Sequence, residues 1–250
     1  MEWIYGRNVV QLALAPGARR RAHRLAATAP ALKALQLAIP PGFAVETLDT
    51  HALDELTGSR DHQGAALQVD AFAYATADDV LGAEIVVVLD EVSDPRNLGA
   101  TARSALAAGA GGLVVPKHRS ASVTPAAVKA SAGTIEHLAV AQVTNVVGFL
   151  KAAKEAGAWV YGAAGETGSS YLDLDLTGRL VLVFGAEGRG LRPLVARTCD
   201  ALAAIPVKQP VESLNVSVAA ALFLFEARRQ RSAAAAASRA GPGGRPQGSA

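Results

Sequence analysis

The 250 residues are half hydrophobic, about a fifth of them alanine, with one cysteine (Cys199) and a formal net charge of +2. That length holds one large domain or two small ones without covalent staples, and a single cysteine excludes both an intramolecular disulfide framework and an all-cysteine zinc site. The N-terminus MEWIYGRNVVQLAL lacks a signal-peptide pattern, no run approaches the roughly 18 apolar residues of a membrane span, and the lone cysteine suits a reducing, cytoplasmic compartment.

Residues 1–69 read as one small α/β unit. Val9, Val10, Leu12 and Leu14 suggest a short helix after Tyr5-Gly6. Leu32 to Ile39 suggests a second helix, stopped by Pro40-Pro41-Gly42. Phe43 to Leu48 alternates weakly, and Ala65 to Val69 reads as a strand after Gly64. Residues 70–83 mix their signals and read as a linker. From Glu84 the pattern changes. Ile85 to Leu89 is a continuous β-branched run, the mark of a strand covered on both faces. Further runs follow at Leu113–Val115, Leu138–Val140, Trp159–Tyr161, Leu180–Phe184 and Ala203–Ile205, with helical stretches between them. That alternation predicts a parallel sheet in an α/β domain over 84–231. A last helix is expected from about Ser213 to Arg231. Residues 232–250 are rich in Ala, Gly and Pro, lack large apolar side chains, and read as a disordered tail.

Ligands gather at the carboxyl ends of strands in open α/β sheets, and three loops there are unusual. The first runs from Asp90 to Arg103. Asp94-Pro95 starts a helix, with Asp as cap and Pro at the first helical position. Asn97 falls in its first turn, and Arg103 lies roughly 9 Å further along. Gly99, Ala100 and Ala102 keep this helix thin, so another backbone or a ligand could approach. The spacing alone equally suits an ordinary capped helix with a surface arginine. The second loop is Phe184-Gly185-Ala186-Glu187-Gly188-Arg189-Gly190, whose glycines permit left-handed backbone and close approach to a ligand; a tight connection would use the same residues. The third runs from Ile205 through Val207 to Ser217. There Ser213 can cap an apolar helix, whereas capping is less natural for Asn215, which points to a ligand or chain contact.

Other chemistries lack their signatures. The five histidines (23, 51, 62, 118 and 137) show no metal-ligand spacing, and His62 and His118 read as loop or surface residues. There is no GxSxG elbow, P-loop or dinucleotide fingerprint.

Taken together, the three loops resemble the three motifs of the SpoU, or TrmH-like, branch of the SPOUT RNA methyltransferases. The opening Ile4-Tyr5-Gly6, the His62-Gln63-Gly64 loop and Val115-Pro116-Lys117 also resemble its subgroup of bacterial 23S rRNA guanosine 2′-O-methyltransferases. Asn8 departs from the histidine expected after the Tyr-Gly pair. The resemblance covers about residues 3–231. It implies a parallel sheet whose C-terminal segment forms a deep trefoil knot, a topology that general rules would never suggest. It implies S-adenosylmethionine bound in the knot, no metal, and a homodimer through the knot domain with a shared active site. The N-terminal unit becomes an RNA-binding domain similar to a ribosomal-protein fold, and 23S ribosomal RNA the partner. Arg103, Asn97, Glu187, Ser213 and Asn215 become the catalytic set, with Arg103 at the 2′-hydroxyl. A base role is awkward for a side chain that stays protonated, so orienting the oxygen or holding a phosphate weighs equally. Phe184, Gly185, Gly188, Ile205, Val207 and Leu214 become the cofactor pocket. Methylation of tRNA ribose and a non-catalytic RNA-binding assembly factor are the rival readings.

The charge looks wrong for an RNA binder until it is located. Five arginines and no acid follow residue 227, leaving 19 basic and 22 acidic residues before them, a net −3. Phosphate contacts need local cations, not a basic total. Arg7, Arg19, Arg20, Arg21 and Arg24 crowd the small unit, and Arg96, Lys117 and Arg119 join Arg103 near the expected site.

Overall fold

A computed structural model describes residues 1–165 and 167–240, and two sheets organise them. The first sheet contains β1 (Glu2–Tyr5), β2 (Ala22–Ala27), β3 (Ala44–Thr47) and β4 (Ala65–Val69) in the order β1-β4-β2-β3. β4 runs antiparallel to both neighbours, and β2 pairs β3 in parallel. Helices α1 (Arg7–Ala13), α2 (Ala29–Leu35) and α3 (Thr50–Thr57) connect them. Thr28 and Asp49 accept N–H bonds at the starts of α2 and α3, the usual cap chemistry. So α2 begins earlier than the apolar pattern suggested and ends at Leu35.

The 70–83 segment, which connects the two sheets, is ordered. It carries α4 (Ala77–Leu81), opened by a reciprocal Thr76–Asp79 capping box. Ala75 also adds a bridge to Ala141 at the edge of the second sheet, so this stretch is fastened rather than loose.

The second sheet is wholly parallel, in the order β10-β8-β9-β5-β6-β7. Its strands are β5 (Ile85–Asp90), β6 (Gly112–Pro116), β7 (Ala139–Val143), β8 (Trp159–Ala163), β9 (Leu180–Gly185) and β10 (Ala201–Ala203). β5 and β6 are buried along their whole length, as helices on both faces require. Those helices are α5 (Pro95–Ala108), α6 (Pro125–Ala130), α7 (Val146–Glu155), α8 (Pro193–Thr198) and α9 (Val216–Ala240). α5 packs against α6 so closely that a Cβ on Gly99 would sit 2.2 Å from the Ala127 carbonyl oxygen. The thin helix therefore admits a neighbouring backbone.

α9 starts at Val216, not Ser213, and continues to Ala240, which corrects the expected disorder over 232–240. The reason is local: alanine is the best helix former, and a run of it extends a helix that tertiary contacts have nucleated. The disorder expected over 241–250 lies outside the described residues. No described helix is long and apolar enough to cross a membrane.

Arg20 joins the two sheets. Its guanidinium contacts Glu2 of β1 and, through Nε at 2.8 Å, Glu136 in the 3₁₀ turn before β7. The backbone follows suit, with the Arg19 N–H on the Glu136 carbonyl at 2.8 Å. Arg20 and Glu136 are both buried. This corrects the assignment of Arg20 to RNA contact, because a buried, ion-paired arginine has no free face for a phosphate.

Candidate active site

The three unusual loops meet at one end of the parallel sheet. Asn97 comes from the first turn of α5, held there by the Asp94 carboxylate on the Arg96 N–H. Glu187 comes from the loop after β9, and Asn215 from the residue before α9. Asn97 Nδ2 donates to Glu187 Oε1 at 2.9 Å. Asn215 Nδ2 donates to the same oxygen at 2.6 Å and to Asn97 Oδ1 at 3.0 Å. The Asn215 Oδ1 in turn accepts from the N–H and hydroxyl of Ser217, at 2.9 and 2.6 Å. Asn215 is therefore both helix cap and network member, a correction to the reading that set capping aside; one amide has an oxygen and a nitrogen to spend on separate tasks. Ser213 is not the cap and lines the neighbouring cavity.

That cavity measures about 590 Å³, within the range of small-molecule sites. Phe184, Gly185, Glu187 and Gly188 form one wall, Ile205, Val207, Ser213 and Leu214 another. Ala163, Ala164, Gly165 and Phe223, which lie outside the three loops, also line it, as do Ala219 and the charged Arg189 and Glu212. The wall is thin by necessity. A Cβ on Gly185 would lie 2.1 Å from the Gly190 carbonyl carbon, where the loop doubles back and Gly190 N–H reaches the Ala186 carbonyl at 2.8 Å. Gly188 and Gly190 hold φ of +76° and +65°, backbone that glycine adopts freely. Across the cavity, the one backbone hydrogen bond inside 205–214 among the described residues is Val211 N–H to Lys208 O at 3.1 Å. That leaves main-chain donors and acceptors for a polar ligand.

Arg103 stands apart. It is exposed, lies outside the cavity lining, and makes no hydrogen bond or ion pair among the described residues. Six residues along a helix turn its side chain about 120° from that of Asn97. Of the expected RNA-facing cations, Arg7, Arg19, Arg21, Arg96, Lys117 and Arg119 are exposed. Arg24 lies over the Trp3 ring at 5.3 Å and pairs with Glu46 at 3.3 Å. His62 sits in the turn before β4, a loop residue as expected, but it is buried there and bonds Asp54 through Nε2 at 2.9 Å. One pair carried no signal in the motifs: the buried Asp90 and the partly exposed Arg192, 2.5 Å apart. The bonded carboxylate holds the Arg192 guanidinium above arginine's usual range.

A cavity at the loop-bearing end of a parallel sheet marks an α/β protein with a small-molecule site in the usual place for that architecture. The chain belongs to the SpoU rRNA methylase family, which residues 84–225 match; residues 3–75 match a family described as RNA 2′-O ribose methyltransferase substrate binding. It is accordingly an S-adenosylmethionine-dependent RNA 2′-O-methyltransferase. A 23S rRNA (guanosine-2′-O-)-methyltransferase RlmB from Xanthomonas campestris is 44% identical over 198 residues, 76% of this chain and 79% of the relative. An uncharacterized tRNA/rRNA methyltransferase from Mycolicibacterium vanbaalenii is 40% identical over 241 residues, 92% and 77% of the two chains. The SpoU methyltransferase AviRb from Streptomyces viridochromogenes, in complex with AdoMet, superposes with a TM-score of 0.76 at 26% identity, covering 92% of this chain and 89% of that one.

Proposed function

We propose that this protein methylates the ribose 2′-hydroxyl of a guanosine in 23S ribosomal RNA, using S-adenosylmethionine bound in the 590 Å³ cavity. The observation that carries the reading is the Asn97–Glu187–Asn215 cluster, which ties the three motifs together at the cavity rim. When bound, the cofactor supplies an electrophilic methyl on a cationic sulfur. Phe184, Ile205, Leu214, Ala219 and Phe223 exclude water from it. The free main-chain groups of 205–214 satisfy its polar edges without adding charge. The Glu187 carboxylate, oriented by two amide donors, places a negative charge where a cation is expected. Arg103 orients the ribose by gripping an adjoining phosphate; as the 2′-oxygen takes the methyl and the demethylated thioether leaves, the hydroxyl proton passes to solvent water, since an arginine stays protonated and cannot accept it.

Arg103 is outside its own cavity, which supports a site completed across a homodimer. Val218, Leu222 and Phe225 are exposed along one face of α9, an apolar stripe at helical spacing that a second copy would cover. The knotted C-terminal path and the cytoplasmic setting belong to the same proposal. So does the two-part organisation, in which the first sheet presents Arg7, Arg19 and Arg21 to RNA. The test is a map of 2′-O-methylation in total RNA from cells with and without this protein. Loss of one 23S guanosine mark supports the reading; an unchanged 23S pattern with a lost tRNA mark replaces it.

A further inference from the structure

Asp90 ends β5 with its side chain fully buried. Its carboxylate is spent on one residue. Oδ2 accepts from the Arg192 backbone N–H at 3.0 Å, and Oδ1 from Arg192 Nε at 2.8 Å and Nη2 at 2.5 Å. Charge-assisted, forked contacts of this kind are the strong ones, and they satisfy a carboxylate that burial would otherwise penalise. Glu91, the next residue, adds a looser contact of 3.7 Å to Arg192 Nη1.

What lies between the partners gives the pair its meaning. Asp90 is also the ladder neighbour of Gly185. The loop 185–192 thus leaves the sheet beside Asp90 and returns to the same carboxylate. Within it, among the described residues, Gly190 N–H to Ala186 O is the one backbone hydrogen bond. Glycines at 185, 188 and 190 give it little stiffness of its own. Yet this loop forms one cavity wall and carries Glu187 to Asn97 and Asn215.

We propose that Asp90 and Arg192 are a positioning pair for methyl transfer, a clasp that fixes the 185–192 loop as the wall of the cofactor pocket and sets Glu187 in place. The proposal rests on the reading of the cavity as the S-adenosylmethionine site. Two readouts on the full chain keep the two separate: amide hydrogen exchange of the 185–192 loop without ligand, and calorimetric titration with S-adenosylmethionine.

Asp90→Asn keeps the side chain's shape and removes its charge. The loop's hydrogen-bonded amides, those of Gly190 and Arg192, are expected to exchange at least tenfold faster while the sheet amides stay as protected as before. The dissociation constant for S-adenosylmethionine is expected to rise about tenfold, with KM for RNA unchanged. Arg192→Lys keeps the charge and backbone N–H but loses the fork, so it should fall between native and Asp90→Asn; it also decides the matter should Asp90→Asn fail to fold. Arg192→Ala strands a buried carboxylate and should be the worst, and adding Asp90→Asn to it should recover part of the binding. Native-like loop exchange in Asp90→Asn and Arg192→Lys overturns the clasp, whatever the titration gives. Faster exchange spread evenly over both sheets overturns it too, since that marks a merely structural role. A native chain that takes up no S-adenosylmethionine overturns the pocket reading alone, and loop exchange still judges the clasp.

Discussion

Replacing Glu136 with alanine strikes the join between the two sheets. The Glu136 side chain is 0% exposed and that of Arg20 2%, so the substitution leaves an arginine buried with half its partners. Breaking a buried ion pair from one side costs about 3–5 kcal/mol. Glu2, 26% exposed, still holds one guanidinium nitrogen, and the Phe72 ring still lies 5.3 Å from the guanidinium carbon, which places the expected loss near the lower end, about 3 kcal/mol. In a chain of this size each kcal/mol moves the melting temperature by about 2–4 °C, so Glu136→Ala should melt about 6–12 °C below native in scanning calorimetry. Arg20→Met combined with Glu136→Leu removes both charges and fills the space. It should recover most of that loss, because apolar replacement of a buried pair is often neutral. A Glu136→Ala protein melting within about 2 °C of native, or a double variant less stable than the single, would refute the reasoning.

Four further outcomes follow from the geometry. Gly185→Ala drives a methyl into the Gly190 backbone at 2.1 Å, where no flexible side chain can yield, so cofactor titration should show binding weakened at least tenfold. Gly99→Ala meets the Ala127 carbonyl at 2.2 Å and should destabilise by about 1–3 kcal/mol or more in denaturant melts. Arg103→Ala should leave cofactor affinity within about twofold while turnover falls about a hundredfold or more, read by labelled methyl uptake. Burial, with Asp200 assisting, pushes the Cys199 thiol from an ordinary 9.0 up to about 11. Only the thiolate alkylates, so at pH 8 iodoacetamide should label it about a hundredfold more slowly than in the unfolded chain. Since the folded value lies above the unfolded one, the attached stability is complete below pH 9 and lost as pH rises towards 11.

The parallel sheet was legible because β-branched runs such as Ile85–Leu89 have one comfortable environment, a strand covered on both faces. The close approach at Gly185 was legible in the glycine-rich loop, although its neighbour is that loop's own Gly190; the pocket itself came from the family resemblance. What escaped depended on partners distant in sequence. Arg20 looked like its neighbours Arg19 and Arg21 until Glu136 was placed against it, 116 residues away. Asp90 and Arg192 stand 102 residues apart, and neither carries a local signal. The 70–83 segment hid a capped helix in mixed composition. At 232–240, low complexity suggested disorder although its main constituent, alanine, favours helix. Removing Arg20 from the RNA-facing set also sharpens the charge argument. Seven exposed cations then remain as candidates (Arg7, Arg19, Arg21, Arg96, Arg103, Lys117 and Arg119), so the salt slope of RNA binding should not exceed about 6 in magnitude, and a steeper one would contradict the phosphate assignment.

The most direct measurement is methyl transfer in vitro. Purified protein, labelled S-adenosylmethionine and unmodified 23S rRNA or tRNA are incubated side by side, and the labelled nucleotide is identified by nuclease digestion and mass spectrometry. The account predicts 2′-O-methylguanosine at one position of 23S rRNA with native protein and a signal reduced about a hundredfold with Arg103→Ala. Label on a base, on tRNA alone, or undiminished in the Arg103→Ala protein would contradict it.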